Sequence, residues 1–159
     1  MRANTLDRHL TDSEVGPSRP VASTATQESR PEYLLKNFEW AVRQIEPLFK
    51  LPSGWDGYGA ERTDARLASF AIHYLAFLKG KYKVSSPIVS PTVCGGVNLE
   101  WDIDNKCLEI EIDSMAGGFY IYKDAANNVR RNGLVQVNAP IEQKLHMALT
   151  LCFPHGDFD

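Results

Sequence analysis

Val97-Asn98-Leu99-Glu100-Trp101-Asp102 alternates apolar and polar residues, and so does Cys107-Leu108-Glu109-Ile110-Glu111-Ile112-Asp113. Alternation at period two is the mark of a half-buried strand, because successive side chains point to opposite faces. Two such runs joined by Ile103 to Lys106 read as an antiparallel hairpin with one oily face and one acidic face. Setting Asp102 beside Cys107 places Trp101 opposite Leu108, Glu100 opposite Glu109, Leu99 opposite Ile110 and Asn98 opposite Glu111. Directly opposed residues hold their Cβ atoms about 4.5–5.5 Å apart, where like charges repel. The acidic face is therefore the feature that asks for a functional explanation.

The same reasoning extends to the next strand, Phe119-Tyr120-Ile121-Tyr122-Lys123. A four-residue turn from Ser114 to Gly117 sets Asp113 beside Gly118. Phe119 and Ile121 then join the oily face, while Tyr120 falls opposite Glu111 and Tyr122 opposite Glu109. The open face is expected to gather Glu100, Asp102, Glu109, Glu111, Tyr120 and Tyr122. Carboxylates beside tyrosine rings attract arginine and lysine through charge-assisted hydrogen bonds and cation–π contacts. A basic protein partner fits that chemistry. The plainer alternative is a solvated face on which each acid pairs with a nearby Lys or Arg.

Around the hairpin, the order of patterns sets the fold class. A helix is expected from about Pro31 to Glu46, with Leu34, Leu35, Phe38, Ala41, Val42 and Ile45 at helical spacing and Pro47 at its end. A second helix is expected after Thr63 as cap, striped by Leu67, Phe70, Ala71, Tyr74, Leu75 and Leu78 and closed by Gly80. Pro87 to Thr92 reads as a short strand that Pro91 restricts to an edge or a bulge. Gly133 to Val137 reads as a last strand, and Asn138 as the cap of a final helix carrying Ile141, Leu145, Ala148 and Leu149 inward. Helices, then strands, then one helix favour an α+β fold. The expectation is a single domain over residues 31–159, with an antiparallel sheet of four to five strands. Two N-terminal helices and one C-terminal helix would cover one face. Residues 1–30 contain no aromatic residue, balance four arginines against four acids, and include Pro17 and Pro20. Such a stretch buries too little apolar surface to offset its ordering entropy and is expected to be a flexible tail.

Composition narrows the function classes. A chain of 159 residues can bury a core, and its net charge of −3 argues against a general nucleic-acid binder, which needs a strong basic field. Three cysteines without C-x-x-C spacing point to reduced thiols, and no signal-peptide core or membrane-length apolar run stands out, so a cytoplasmic protein is expected. The four histidines show no metal-ligand spacing, no nucleophile elbow appears, and Cys94 has no base beside it. No catalytic residue, metal ligand or cofactor is therefore assigned. Lys79-Gly80-Lys81-Tyr82-Lys83 reads as a basic helix end that meets the dipole.

Gly54-Trp55-Asp56-Gly57-Tyr58-Gly59 is the most distinctive string. Its glycines permit positive φ, Asp56 can bond local N–H groups, and Trp55 and Tyr58 are candidate anchors for a partner. The competing reading is a clamp between helices. It lacks the Lys-Ser/Thr ending of a phosphate loop. GWDGYGA, followed by a helix, the Pro87 to Thr92 strand, GGVNLEW at Gly95 to Trp101 and LEIEI at Leu108 to Ile112, resembles a family of small bacterial proteins without an established activity. The resemblance covers about Leu51 to Asp113. It implies a bacterial or phage-borne origin and carries over no functional residue.

The expected function is non-enzymatic: a protein-binding or inhibitory module, like an antitoxin, immunity protein or anti-defence protein, that uses the acidic face and Trp55 and Tyr58. Two alternatives stand beside it. Paired carboxylates about 5 Å apart also suit a carboxylate-dependent hydrolase, with or without a metal ion. The Pro87 to Thr92 edge or the oily helix faces would suit a self-associating subunit.

Overall fold

The computed structural model describes residues 30–136 and 139–155. The expected tail, and Asn138 as a cap, lie outside the described residues. The chain is an α+β domain in the order α1 (Arg30–Ile45), a 3-10 turn (Glu46–Lys50), α2 (Ala65–Tyr82), β1 (Ile88–Pro91), β2 (Val97–Ile103), β3 (Lys106–Ser114), β4 (Gly117–Asp124), β5 (Val129–Gln136) and α3 (Gln143–Cys152). The five strands form one antiparallel sheet in sequence order. Helices α2 and α3 pack on the strands, and α1 packs chiefly on α2. Every connection between strands is local, so each hairpin is built from neighbouring sequence. No described helix is long and apolar enough to cross a membrane.

The core lies between the sheet and these helices. Leu99, Trp101, Leu108, Ile110, Ile112, Tyr120 and Tyr122 from the sheet meet Leu75, Leu78, Tyr82, Leu145 and Leu149 from the helices, all buried. Trp101 donates its indole N–H to the Ser85 carbonyl at 2.8 Å and stacks edge-on against Phe153. Its one polar atom is thereby satisfied inside the core.

Helix α2 departs from expectation at both ends. Its cap is Asp64, whose carboxylate accepts the Arg66 N–H at 2.7 Å, while Thr63 is buried just before it. A carboxylate at this position also meets the positive end of the helix dipole, which a threonine hydroxyl does more weakly. Gly80 does not end the helix. It sits inside the last turn where α1 crosses: a Cβ there would stand 3.4 Å from the Asn37 amide. Tyr33 donates its hydroxyl to the Gly80 carbonyl at 2.9 Å. The chain turns out of the helix at Lys83, with φ 54. The basic run is taken up by this end of the fold: Lys79 Nζ donates to the Val84 carbonyl at 2.9 Å and lies 4.8 Å from the Trp40 ring centre.

Pro91 closes β1, an edge strand of only four residues, as proline requires. The last strand starts earlier than Gly133 and carries both Arg130 and Arg131. The final helix is entered at Glu142; Ile141 packs on the core from the segment before it.

Candidate protein-binding face

The first hairpin has the register its alternation implies: Asp102 pairs with Cys107, Trp101 with Leu108, Glu100 with Glu109, Leu99 with Ile110 and Asn98 with Glu111. The second hairpin does not. Ile112 pairs with Gly118, Ile110 with Tyr120 and Leu108 with Tyr122, and the register shifts between Ile112 and Ser114. Met115 and Ala116 alone make the turn, and Asp113 is left as the extra residue of a bulge. A slip of one residue exchanges the two faces of a strand. Tyr120 and Tyr122 are accordingly both 0% exposed in the core, a correction to their expected place beside the acids. Phe119 and Ile121 take that place, opposite Glu111 and Glu109.

Two features explain why this register wins. Gly118, which has no side chain, passes so close to β3 that a Cβ would overlap the Glu111 carbonyl. The two large tyrosine rings also fill the space between the sheet and the helices, where both are fully buried among the core side chains. Tyr122 finds a polar outlet by donating its hydroxyl to Asp124 at 3.5 Å. Asp124 also accepts the Asn127 backbone N–H at 3.1 Å and its amide at 2.8 Å, which hold its carboxyl below the usual range. Burial, and after it the neighbouring thiol of Cys152 and the Asp124 charge, push the Tyr122 phenol up to about 12.

The face turned away from the helices reads across the strands in three rows. Ser90, Asn98, Glu111, Phe119 and Leu134 form the first, and Ile88, Glu100, Glu109, Ile121 and Asn132 the second. Asp102, Cys107, Lys123 and Arg130 form the third. The four acids therefore occupy the central strand β3 and its neighbour β2. Ile88 is 61% exposed on one side of them and Leu134 62% exposed on the other. Among the described residues, none of Glu100, Asp102, Glu109 and Glu111 forms an ion pair.

Crowding leaves an electrostatic trace. Partial burial, then the charges of Asp113 and Glu109, raise the Glu111 carboxyl above its ordinary value. The Cys107 thiol is also raised, by burial first and then by Asp102 and Glu100. It lies 3.9 Å from Glu100 Oε1, and ligand atoms of Glu100, Asp102 and Cys107 all fall within 4.8 Å of one another. Because the folded chain binds the Glu111 proton more tightly than the unfolded chain, the ionised form costs stability. Glu111→Gln is expected to stabilise the fold at neutral pH by about 0.5 kcal/mol, an amount limited by the solvent around the group. That gain should fade as the pH falls through the raised folded value, and vanish below the ordinary carboxyl value. Urea melts of both proteins across the acid range would show it; a gain independent of pH would point to packing instead.

Trp55 and Tyr58 belong to a separate structure, the loop from Leu51 to Asp64. Asp56 Oδ1 accepts the Tyr58 and Ala60 N–H groups at 2.9 and 3.0 Å, which hold its carboxyl below the ordinary range. Gly54, Gly57 and Gly59 all have positive φ, so the loop needs glycine at those turns. The loop is tied to the β1–β2 turn by Glu61 N–H to the Val93 carbonyl and Asp64 N–H to the Gly95 carbonyl, both 2.9 Å. Trp55 is partly buried and donates to the Glu61 carbonyl at 3.3 Å, while Tyr58 is 96% exposed. Trp55 is thus tied to its own loop, and Tyr58 is left as the side chain offered to solvent. The apolar flank of Ile88, Phe119, Ile121 and Leu134 is what sequence reasoning missed. The alternation Arg130, Asn132, Leu134 carried part of the signal; the bulge that turns Phe119 outward carried none beyond the glycine pair.

No protein-family model matches this chain, and no curated protein or solved structure is similar to it.

Proposed function

We propose that this protein is a binding module that docks its open sheet face on a basic protein, in the manner of an antitoxin, immunity protein or other inhibitor. One observation carries the reading: among the described residues, four carboxylates without ion-pair partners stand together on a face that no described helix covers. Glu100 faces Glu109 directly across the β2–β3 ladder, and like charges so placed repel in the free protein. An incoming arginine or lysine cluster relieves that repulsion while forming charge-assisted hydrogen bonds. Phe119, Ile121 and Leu134 extend the face with apolar area, and Phe119 adds an aromatic surface for a cation. The acids would set partner choice and association rate, and the apolar flank would slow dissociation.

The test is retention of a partner from cells that produce the protein, at low and at high salt, with the wild type and with E100Q/E109Q/E111Q. The expected outcome is a basic protein, identified by mass, held by the wild type at low salt and lost in the triple variant and at high salt. Equal capture by the triple variant would remove this face from the function. Tyr58→Ala in the same experiment reports whether the loop shares the interface.

A further inference from the structure

The two edges of the sheet are unlike. The edge at β1 has four residues and ends on Pro91, which blunts it. The edge at β5 has eight residues, Val129-Arg130-Arg131-Asn132-Gly133-Leu134-Val135-Gln136, with no proline. Among the described residues this strand pairs only with β4, so its outer side presents a row of backbone N–H and C=O groups.

Gly133 marks an unusual place on this strand. On the helix side, the space a side chain would fill is taken by the Glu142 carboxylate and the Tyr120 ring, whose hydroxyl would stand 3.0 Å from an added Cβ. Glu142 itself is exposed. The strand therefore shows a negative charge at position 133 that its own sequence lacks, and a positive charge at Arg131 on the same face, two residues away.

We propose that two copies of this chain join edge to edge through β5, in an antiparallel pairing whose two-fold axis passes between the two copies of Asn132. A two-fold axis that runs β5 antiparallel to itself in one sheet stands perpendicular to the sheet. Matching faces then require that one residue of the strand pair with its own copy across the axis. Centred on Arg131, the pairing sets Arg131 against itself. Centred on Gly133, it brings the two Glu142 carboxylates together. Centred on Asn132, it sets Arg131 of each copy opposite Gly133 of the other, against the waiting Glu142. Opposed positions lie about 4.5–5.5 Å apart at Cβ, which an arginine side chain spans easily. The same register sets Arg130 opposite Leu134 on the open face, where the arginine stem covers a leucine that is 62% exposed. It sets Val129 opposite Val135 on the core face. Because the axis is perpendicular to the sheet, the acidic faces of both copies look the same way. The dimer stands independently of the proposed function and would make that face bivalent.

Light scattering on a sizing column tests this with the full chain and no ligand. The wild type is expected at twice the monomer mass at high micromolar concentration. R131E and E142R are each expected as monomers, and R131E/E142R is expected to recover the dimer, because the swap restores both ion pairs. E100Q/E109Q/E111Q is expected to remain dimeric, so failure of partner binding and failure of the dimer are read apart. A monomeric wild type, a dimer that persists in both single variants, or single-variant losses that the double variant does not recover overturns the proposal.

Discussion

Tyr122→Ala is expected to cost about 3–5 kcal/mol of folding stability, the range found when a fully buried aromatic side chain is truncated. Tyr122 is 0% exposed, packs with the core from the centre of β4, and anchors its hydroxyl on Asp124. Phe119→Ala, on the opposite face of the same strand, should cost about 1 kcal/mol, because that ring is only half-buried. Urea denaturation of the two variants measures the difference directly. The comparison tests the register itself, since the two residues exchange roles if β4 slips by one. A larger loss from Phe119→Ala than from Tyr122→Ala would show that the tyrosines face out after all.

Gly118→Val should be nearly as damaging, by a different mechanism. The Cβ would overlap the Glu111 carbonyl of the neighbouring strand, and backbone cannot step aside as a flexible side chain can. The chain has to open the β3–β4 ladder or move the bulge, at a cost of about 3 kcal/mol. A fall in the melting midpoint of about 10 °C follows for a domain of this size. The loss should be accompanied by weakened near-ultraviolet circular dichroism from Trp101, Tyr120 and Tyr122. A variant that melts with the wild type would mean that the close approach at Gly118 does not hold the register.

These two experiments address the point at which sequence reading stopped. The β2–β3 hairpin was legible to the residue because its alternation is unbroken on both strands, and a single-residue slip would turn two acids of one strand into the core. The β3–β4 hairpin was not, because Phe119-Tyr120-Ile121-Tyr122 is apolar enough on both faces that alternation does not choose between them. The choice falls to one extra residue, Asp113, and to a glycine small enough to pass a carbonyl. Helix ends show the same limit. Leu67 to Leu78 marked the apolar stripe of α2, but Gly80 served the crossing with α1 rather than termination, and that use depends on a partner 43 or more residues away in the chain: Tyr33 and Gly80 are 47 apart. The Trp55–Tyr58 loop was recognisable as a built turn from its glycines and Asp56. Its division into one anchored ring and one exposed ring depends on the Glu61 carbonyl and the Val93 contact.

By itself the sequence determined the class of fold, the order of its elements, the restriction of β1 to an edge or a bulge, and the acidic stripe formed by Glu100, Asp102, Glu109 and Glu111. Those properties follow from periodicity, proline and glycine, which act within a few residues of chain. Only the tertiary structure decided which residues stand beside that stripe. Packing against α2 and α3 drew Tyr120 and Tyr122 inward, turned Phe119 and Ile121 outward, and carried the Glu142 carboxylate to the empty side of Gly133. The reason in each case is a contact between segments that no local pattern records.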